Sequence, residues 1–166
     1  TTCTQLITID DDELPTMTCP ADLTAICDIN EQPAYANFTE FTGAGGTASD
    51  NCDIDEPTFA LQSETSDGAT CPEVVTRIYE IADLCGNLTT CMQLITIDDD
   101  ELPTMTCPAD LTAICDISEQ PAYTNFTEFT GAGGSASDNC DIDEPTFGRE
   151  SGTGNGVVCG EVVTLK

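Results

Sequence analysis

Apolar and polar residues alternate along several short stretches of this chain, and the alternation breaks at clusters of Gly, Asp, Asn and Pro. Residues 16–27, 33–41, 56–64, 73–83 and 89–97 are rich in β-branched and aromatic residues with partial period-two alternation, which predicts strands. Between them, residues 42–55 and 65–72 carry the Gly, Asp and Asn expected of turns and loops. No window carries a helical period. The pattern predicts an all-β chain whose short strands build small β-sandwiches.

The pattern recurs. Aligning Cys3 with Cys91 gives a period of 91 − 3 = 88 residues. From Cys3 to Phe59, matched against Cys91 to Phe147, the copies differ only at Thr4/Met92, Asn30/Ser118, Ala36/Thr124 and Thr47/Ser135. Beyond Phe59 they diverge, yet Cys71 and Cys159 still align, each followed closely by Glu-Val-Val-Thr. A period this long is one domain per repeat, not a solenoid unit. Residues 1–10 match the last predicted strand of repeat one, so they are expected to be a terminal strand belonging to a preceding domain. Residues 11–98 then form the first sandwich, and residues 99–166 a second one lacking its last strand.

Charge narrows the partners. Only 3 Lys and Arg face 31 Asp and Glu, with no His, for a net charge of −28. Such an excess repels phosphate backbones and anionic lipid headgroups, so no nucleic-acid partner is expected. No stretch has the apolar length of a membrane helix, so no membrane insertion is expected in this segment. Charged residues make up 20% against 39% hydrophobic ones, which favours folded domains with locally collected acids over a disordered acidic chain. The 11 Cys include no C-x-x-C pair, and without His a zinc site has no obvious ligands; disulfides in an oxidising compartment are the expectation. Three N-x-[ST] sequons, at Asn37, Asn87 and Asn125, fit an extracellular, secreted or cell-surface chain bearing N-linked glycans.

Four motifs follow in order: Thr18-Cys19-Pro20-Ala21-Asp22-Leu23; Ser49-Asp50-Asn51-Cys52; Ala82-Asp83-Leu84-Cys85-Gly86-Asn87; and Thr90-Cys91-Met92-Gln93 leading into a strand that ends in Asp. In this order they resemble the hyalin repeat (HYR) domain family. The resemblance implies a disulfide-rich pair of tandem immunoglobulin-like β-sandwiches in an extracellular or adhesive array. The chain departs from the simpler family pattern in Cys27, in Cys71 and in its acidic junctions. In that fold the first and last strands are neighbours, which favours Cys19–Cys91, with Cys52–Cys85 at one pole and Cys27–Cys71 as the third bond. This is one preference among the connectivities six cysteines allow. Transferred to repeat two it gives Cys115–Cys159, and it pairs Cys3 with Cys107 of a neighbouring protomer. Cys140 is left without an assignment.

The same topology brings each acidic junction to one pole of a sandwich. Asp10, Asp11, Asp12 and Glu13 would approach Asp50, Asn51, Asp53, Asp55 and Asp83. Asp98, Asp99, Asp100 and Glu101 would approach Asp138, Asn139, Asp141 and Asp143. Crowded carboxylates without counter-charge suit Ca2+, which takes six to eight oxygens in flexible geometry. The alternative is a set of solvated loops, as most charge runs are.

Catalysis is not expected. Without His, and with only Arg77, Arg149 and Lys166 as basic groups, the chain has no nucleophile elbow, P-loop or zinc signature. The expected function is structural. The chain is read as a subunit of an extracellular fibre or filament, its domains joined head to tail by strand addition and stiffened by Ca2+ at acidic junctions. Its partners are copies of itself or adjacent repeats of a longer chain. The alternative is an adhesive, ligand-binding module of a long cell-surface repeat protein.

Overall fold

The computed structural model describes residues 1–149 and the strand segments Gly152–Gly154 and Val163–Leu165. The chain divides into two compact units, Thr1–Asp99 and Asp100–Lys166. Strands dominate, with a few short helices, so the fold is all-β in character.

In the first unit, β1 (Thr16–Thr18) and β3 (Thr47–Ser49) form a two-stranded antiparallel sheet. A larger sheet runs in the order β2 (Leu23–Ala25), β6 (Leu88–Ile97), β5 (Glu73–Asp83), β4 (Ile54–Ser66). Its centre is the β5–β6 hairpin, in register from Glu73 opposite Ile97 to Ala82 opposite Leu88. Alternation decides which face is covered: Val75, Arg77, Tyr79 and Ile81 of β5 are buried, as are Gln93, Ile95 and Ile97 of β6. β2 lies parallel to the other side of β6, setting Leu23, Thr24 and Ala25 opposite Ile95, Thr96 and Ile97.

Two apolar clusters follow. Ala25, Val75, Ile95 and Ile97 form one, with Leu23 and Ile29 packed against it. Phe41, Phe59, Tyr79 and Ile81 form the other, joined by Met17 and Ala48 from the small sheet, so this core is shared by the two sheets. Arg77 is the one cation on the covered face of β5. It is 3% exposed, and its Nε lies 2.6 Å from Glu64 Oε2 across the β4–β5 pairing. Burying a guanidinium is tolerable only with such a partner.

Two predicted strands are different in the structure. Residues 16–27 split into β1 and β2, which belong to separate sheets. The break follows Pro20, which has no N–H to continue a ladder. Residues 33–41 hold no strand; they lead into α1 (Phe38–Gly43). Asn37 caps that helix by accepting from the Glu40 N–H at 2.9 Å, and the Glu40 carboxylate reaches back to the Ala36 N–H at 2.9 Å. The helix ends where Gly45 takes φ +102° and the Gly46 N–H donates to the Phe41 carbonyl. A β-carbon at Gly46 would run into the Phe41 ring, so only glycine fits there.

The second unit repeats these parts with β7 (Thr104–Thr106), α2 (Phe126–Gly131) and β8 (Ser135–Ser137). The β7–β8 register is that of β1–β3 moved by 88 residues: Thr16 opposite Ser49 becomes Thr104 opposite Ser137. The hairpin of β9 (Gly152–Gly154) and β10 (Val163–Leu165) obeys the same shift, since Leu165 opposite Gly152 stands where Arg77 stands opposite Glu64. Backbone pairing is therefore kept in a stretch where the sequences have diverged. Leu and Gly replace both members of the ion pair at once.

Cys19 and Cys91 are bonded, with Cα atoms 5.5 Å apart. Cys27 takes part in a disulfide, and so does Cys140. The pairing Cys27–Cys71 is not made: Cys71 is a free thiol at the far end of β6, 3.3 Å from Asp98 Oδ1 and 3.4 Å from the Asp99 carbonyl oxygen. Nor is Cys52–Cys85, because both are free and the Cys52 thiol is turned to the carboxylate of Asp11. Cys115 is free and exposed, while Cys159, assigned to it from the sequence, lies outside the described residues.

Candidate metal centre

Asp11 is carried on the loop before β1 and is held at its backbone. Its carbonyl accepts from Asn87 Nδ2 at 2.9 Å, although 76 residues separate the two. Asn87 is itself fixed by Asp83, the most buried acid described, at 2% exposure. Asp83 Oδ1 accepts from the Cys85 and Asn87 N–H groups, both at 2.8 Å, and Oδ2 accepts from Asn87 Nδ2 at 2.7 Å. Burial acts to raise the Asp83 carboxyl, but hydrogen bonds from Asn87, Cys85 and Gly86 outweigh it and hold it below the usual carboxylate range. Asp83 is thus a brace with both of its carboxylate oxygens already engaged. It is not among the groups left open for a cation.

The Asp11 side chain meets residues 50–52. Its Oδ1 accepts from the Glu13 N–H at 3.1 Å and from Asn51 Nδ2 at 3.3 Å. The Cys52 thiol and these donors lower its pKa. The reciprocal effect is larger: the bond to Asp11, burial, and the nearby charges of Asp11, Asp50 and Cys85 push the Cys52 thiol up to about 11. Cys52 is therefore a neutral donor at neutral pH, unlike the thiolate a soft metal requires. The Cys52 N–H donates to Asp50 Oδ2 at 3.0 Å, closing the loop on itself.

One ligand atom each from Asp11, Asp50 and Cys52 falls within a 4.8 Å group. Asp11 Oδ2 and Asp50 Oδ1 are buried and accept no hydrogen bond. Carboxylate oxygens left without a donor suit a hard cation, and the protonated thiol does not. The group of Asp11, Asp50 and Cys52 could hold a metal ion.

The other acids predicted for this pole lie apart from the group. Asp10, Asp12, Glu13 and Asp53 are exposed. Asp55 is in β4, opposite Ala82. Of the second set, Asp98, Asp100, Glu101, Asp141 and Asp143 are exposed, as is Asn139. Asp98 accepts from Cys71, and Asp138 keeps a buried Oδ1 without a partner, as its counterpart Asp50 does. Asp99 closes the first unit, whereas Asp138 belongs to the second.

The sequons separate on the same geometry. Asn37 and Asn125 are exposed helix caps, and Asn37 Nδ2 makes one bond, to Glu40. Asn87 Nδ2 uses both hydrogens, on Asp11 and Asp83, so a glycan there would displace one of them. The Cys52–Asp11 bond and the Asn87 bridge were not legible in the sequence, since both join segments far apart along the chain. Comparison with known proteins finds no family model, no curated protein and no solved structure that matches the chain.

Proposed function

We propose that the chain is a structural segment of an extracellular fibre. Its units are immunoglobulin-like, of the hyalin-repeat kind, and they join by strand addition. Residues 1–10 of one copy would occupy, on the second unit of another, the place that β6 has in the first unit.

One observation carries this reading: nearly the same decapeptide is found in two environments. In β6, Gln93, Ile95 and Ile97 are 0%, 0% and 6% exposed. Their counterparts Gln5, Ile7 and Ile9 lie in a segment without strand pairing, with Ile7 at 74% and Ile9 at 94%. The complementary surface lies on the second unit. Leu23 and Ile29 pack against the cluster of Ala25, Ile95 and Ile97, whereas their counterparts Leu111 and Ile117 are 58% and 50% exposed and Ala113 is exposed too. Applying the first unit's registers sets Ile7 between Leu111 and Val163, and Ile9 beside Ala113. This is β-augmentation, with pockets for alternate side chains and backbone bonds on both flanks.

Burying Ile7 and Ile9 contributes about 1.5–3 kcal/mol each. Ordering the strand costs about 1–2 kcal/mol per residue. Backbone hydrogen bonds at about 1 kcal/mol each must make up the difference, so the junction depends on register along the whole strand. The chain carrying Ile7→Lys and Ile9→Lys is expected to lose the filaments that the unmodified chain forms in negative-stain micrographs, while the free peptide TTCTQLITID stops their growth. Filaments of unchanged length in both experiments would refute strand addition.

The reading also places Ca2+ on Asp11 and Asp50, where it would neutralise the junction and stiffen it. Millimolar Ca2+ is expected to raise the melting temperature above its value in EDTA, and Asp50→Asn to remove that rise. Equal melting temperatures in Ca2+ and EDTA would rule the ion out.

A further inference from the structure

We propose that strand addition is sealed covalently, by a disulfide between Cys3 of one copy and Cys107 of the next. The inference rests on the strand-addition reading and adds to it a specific bond. Within the first unit the bond already exists: Cys19, just after β1, is joined to Cys91 of β6, and the Cα atoms are 5.5 Å apart. Cys107 stands just after β7, whose pairing with β8 reproduces that of β1 with β3. Cys3 holds in the decapeptide the position that Cys91 holds in β6, since 91 − 3 = 107 − 19 = 88. Both are free and exposed. Seating residues 3–10 in the register of β6 brings Cys3 to Cys107 as Cys91 is brought to Cys19, within the Cα separation a disulfide needs.

The chemistry is thiol–disulfide exchange. The thiolate of one cysteine attacks a small-molecule disulfide such as oxidised glutathione and forms a mixed disulfide. The second thiolate then displaces the remaining glutathione thiolate. Two protons and two electrons leave the cysteine pair, and one oxidised glutathione becomes two reduced ones.

The test uses the full chain in a glutathione redox buffer, followed by light scattering under native conditions and by denaturing electrophoresis without reductant. The expected result is scattering together with a ladder of multimers that collapses to the monomer on reduction, and peptide mapping that finds Cys3 linked to Cys107. Cys3→Ser and Cys107→Ser should each keep the scattering and lose the ladder. Scattering without a ladder in the unmodified chain would overturn the disulfide and leave strand addition standing. A ladder that persists in Cys3→Ser would overturn it too, by showing that other exposed cysteines make the bond. No scattering from the unmodified chain would refute strand addition itself, and the disulfide with it.

Discussion

Removing the Cys19–Cys91 bond, by the paired change Cys19→Ala and Cys91→Ala, is expected to destabilise the first unit by about 4 kcal/mol. The bond closes a loop with a sequence separation of 72 residues, which spans nearly every element of that unit. In the chain-entropy description, releasing a loop of that length restores to the unfolded chain a freedom worth about this much. Small domains hold only about 5–15 kcal/mol in total, so the loss is a large share. Both cysteines also touch the Phe41, Phe59, Tyr79 and Ile81 cluster, and alanine leaves part of that contact unfilled. Urea unfolding followed by tyrosine fluorescence in a Tyr123→Phe background reads the first unit through Tyr35 and Tyr79. A midpoint unchanged by the double substitution would show that the loop is already restricted in the unfolded chain.

Phe41→Ala is expected to cost about 3–5 kcal/mol by the same measurement. Phe41 is fully buried on a helix of only six residues, and that helix has little stability of its own. Its ring meets Phe59 at 4.9 Å, Tyr79 at 5.7 Å, Tyr35 at 5.9 Å and Phe38 at 6.1 Å between centroids. Truncation removes the one side chain that all four share, and the backbone of Gly46, packed against the ring, has no side chain with which to fill the gap. Phe41→Leu should recover part of the loss. A cost below about 1 kcal/mol for the alanine variant would mean that the cluster closes over the cavity.

The strands legible from sequence are those whose alternation is enforced by burial on one face. Val75, Tyr79 and Ile81 of β5 and Ile95 and Ile97 of β6 are of this kind. The helix was not legible from periodicity because six residues give fewer than two turns, and Phe38, Thr39, Phe41 and Thr42 have the composition of a strand. Its signal was local: Asn37 and Glu40 in capping-box spacing ahead, and Gly45-Gly46 behind. The candidate centre was legible as an acidic junction approaching residues 50–55, but not as the particular group of Asp11, Asp50 and Cys52. Composition cannot tell an acid that braces a turn from one that is open to a ligand. Asp83 and Asp50 look alike in sequence, yet Asn87, Cys85 and Gly86 occupy the first, while Asp50 keeps an oxygen unpaired.

The exchange of Arg77 and Glu64 for Leu165 and Gly152 bears on how two such repeats can trade sequence. Two blocks this similar invite unequal recombination, which tends to make neighbouring repeats identical. A crossover between positions 64 and 77 splits the pair. One product keeps Glu64, a side chain 37% exposed and partly hydrated without its partner. The other keeps a guanidinium 3% exposed opposite a glycine, an uncompensated buried charge. An exchange that breaks between 64 and 77 therefore strands a charge, whereas one that moves both positions together keeps either the ion pair or the Leu165 and Gly152 pairing intact.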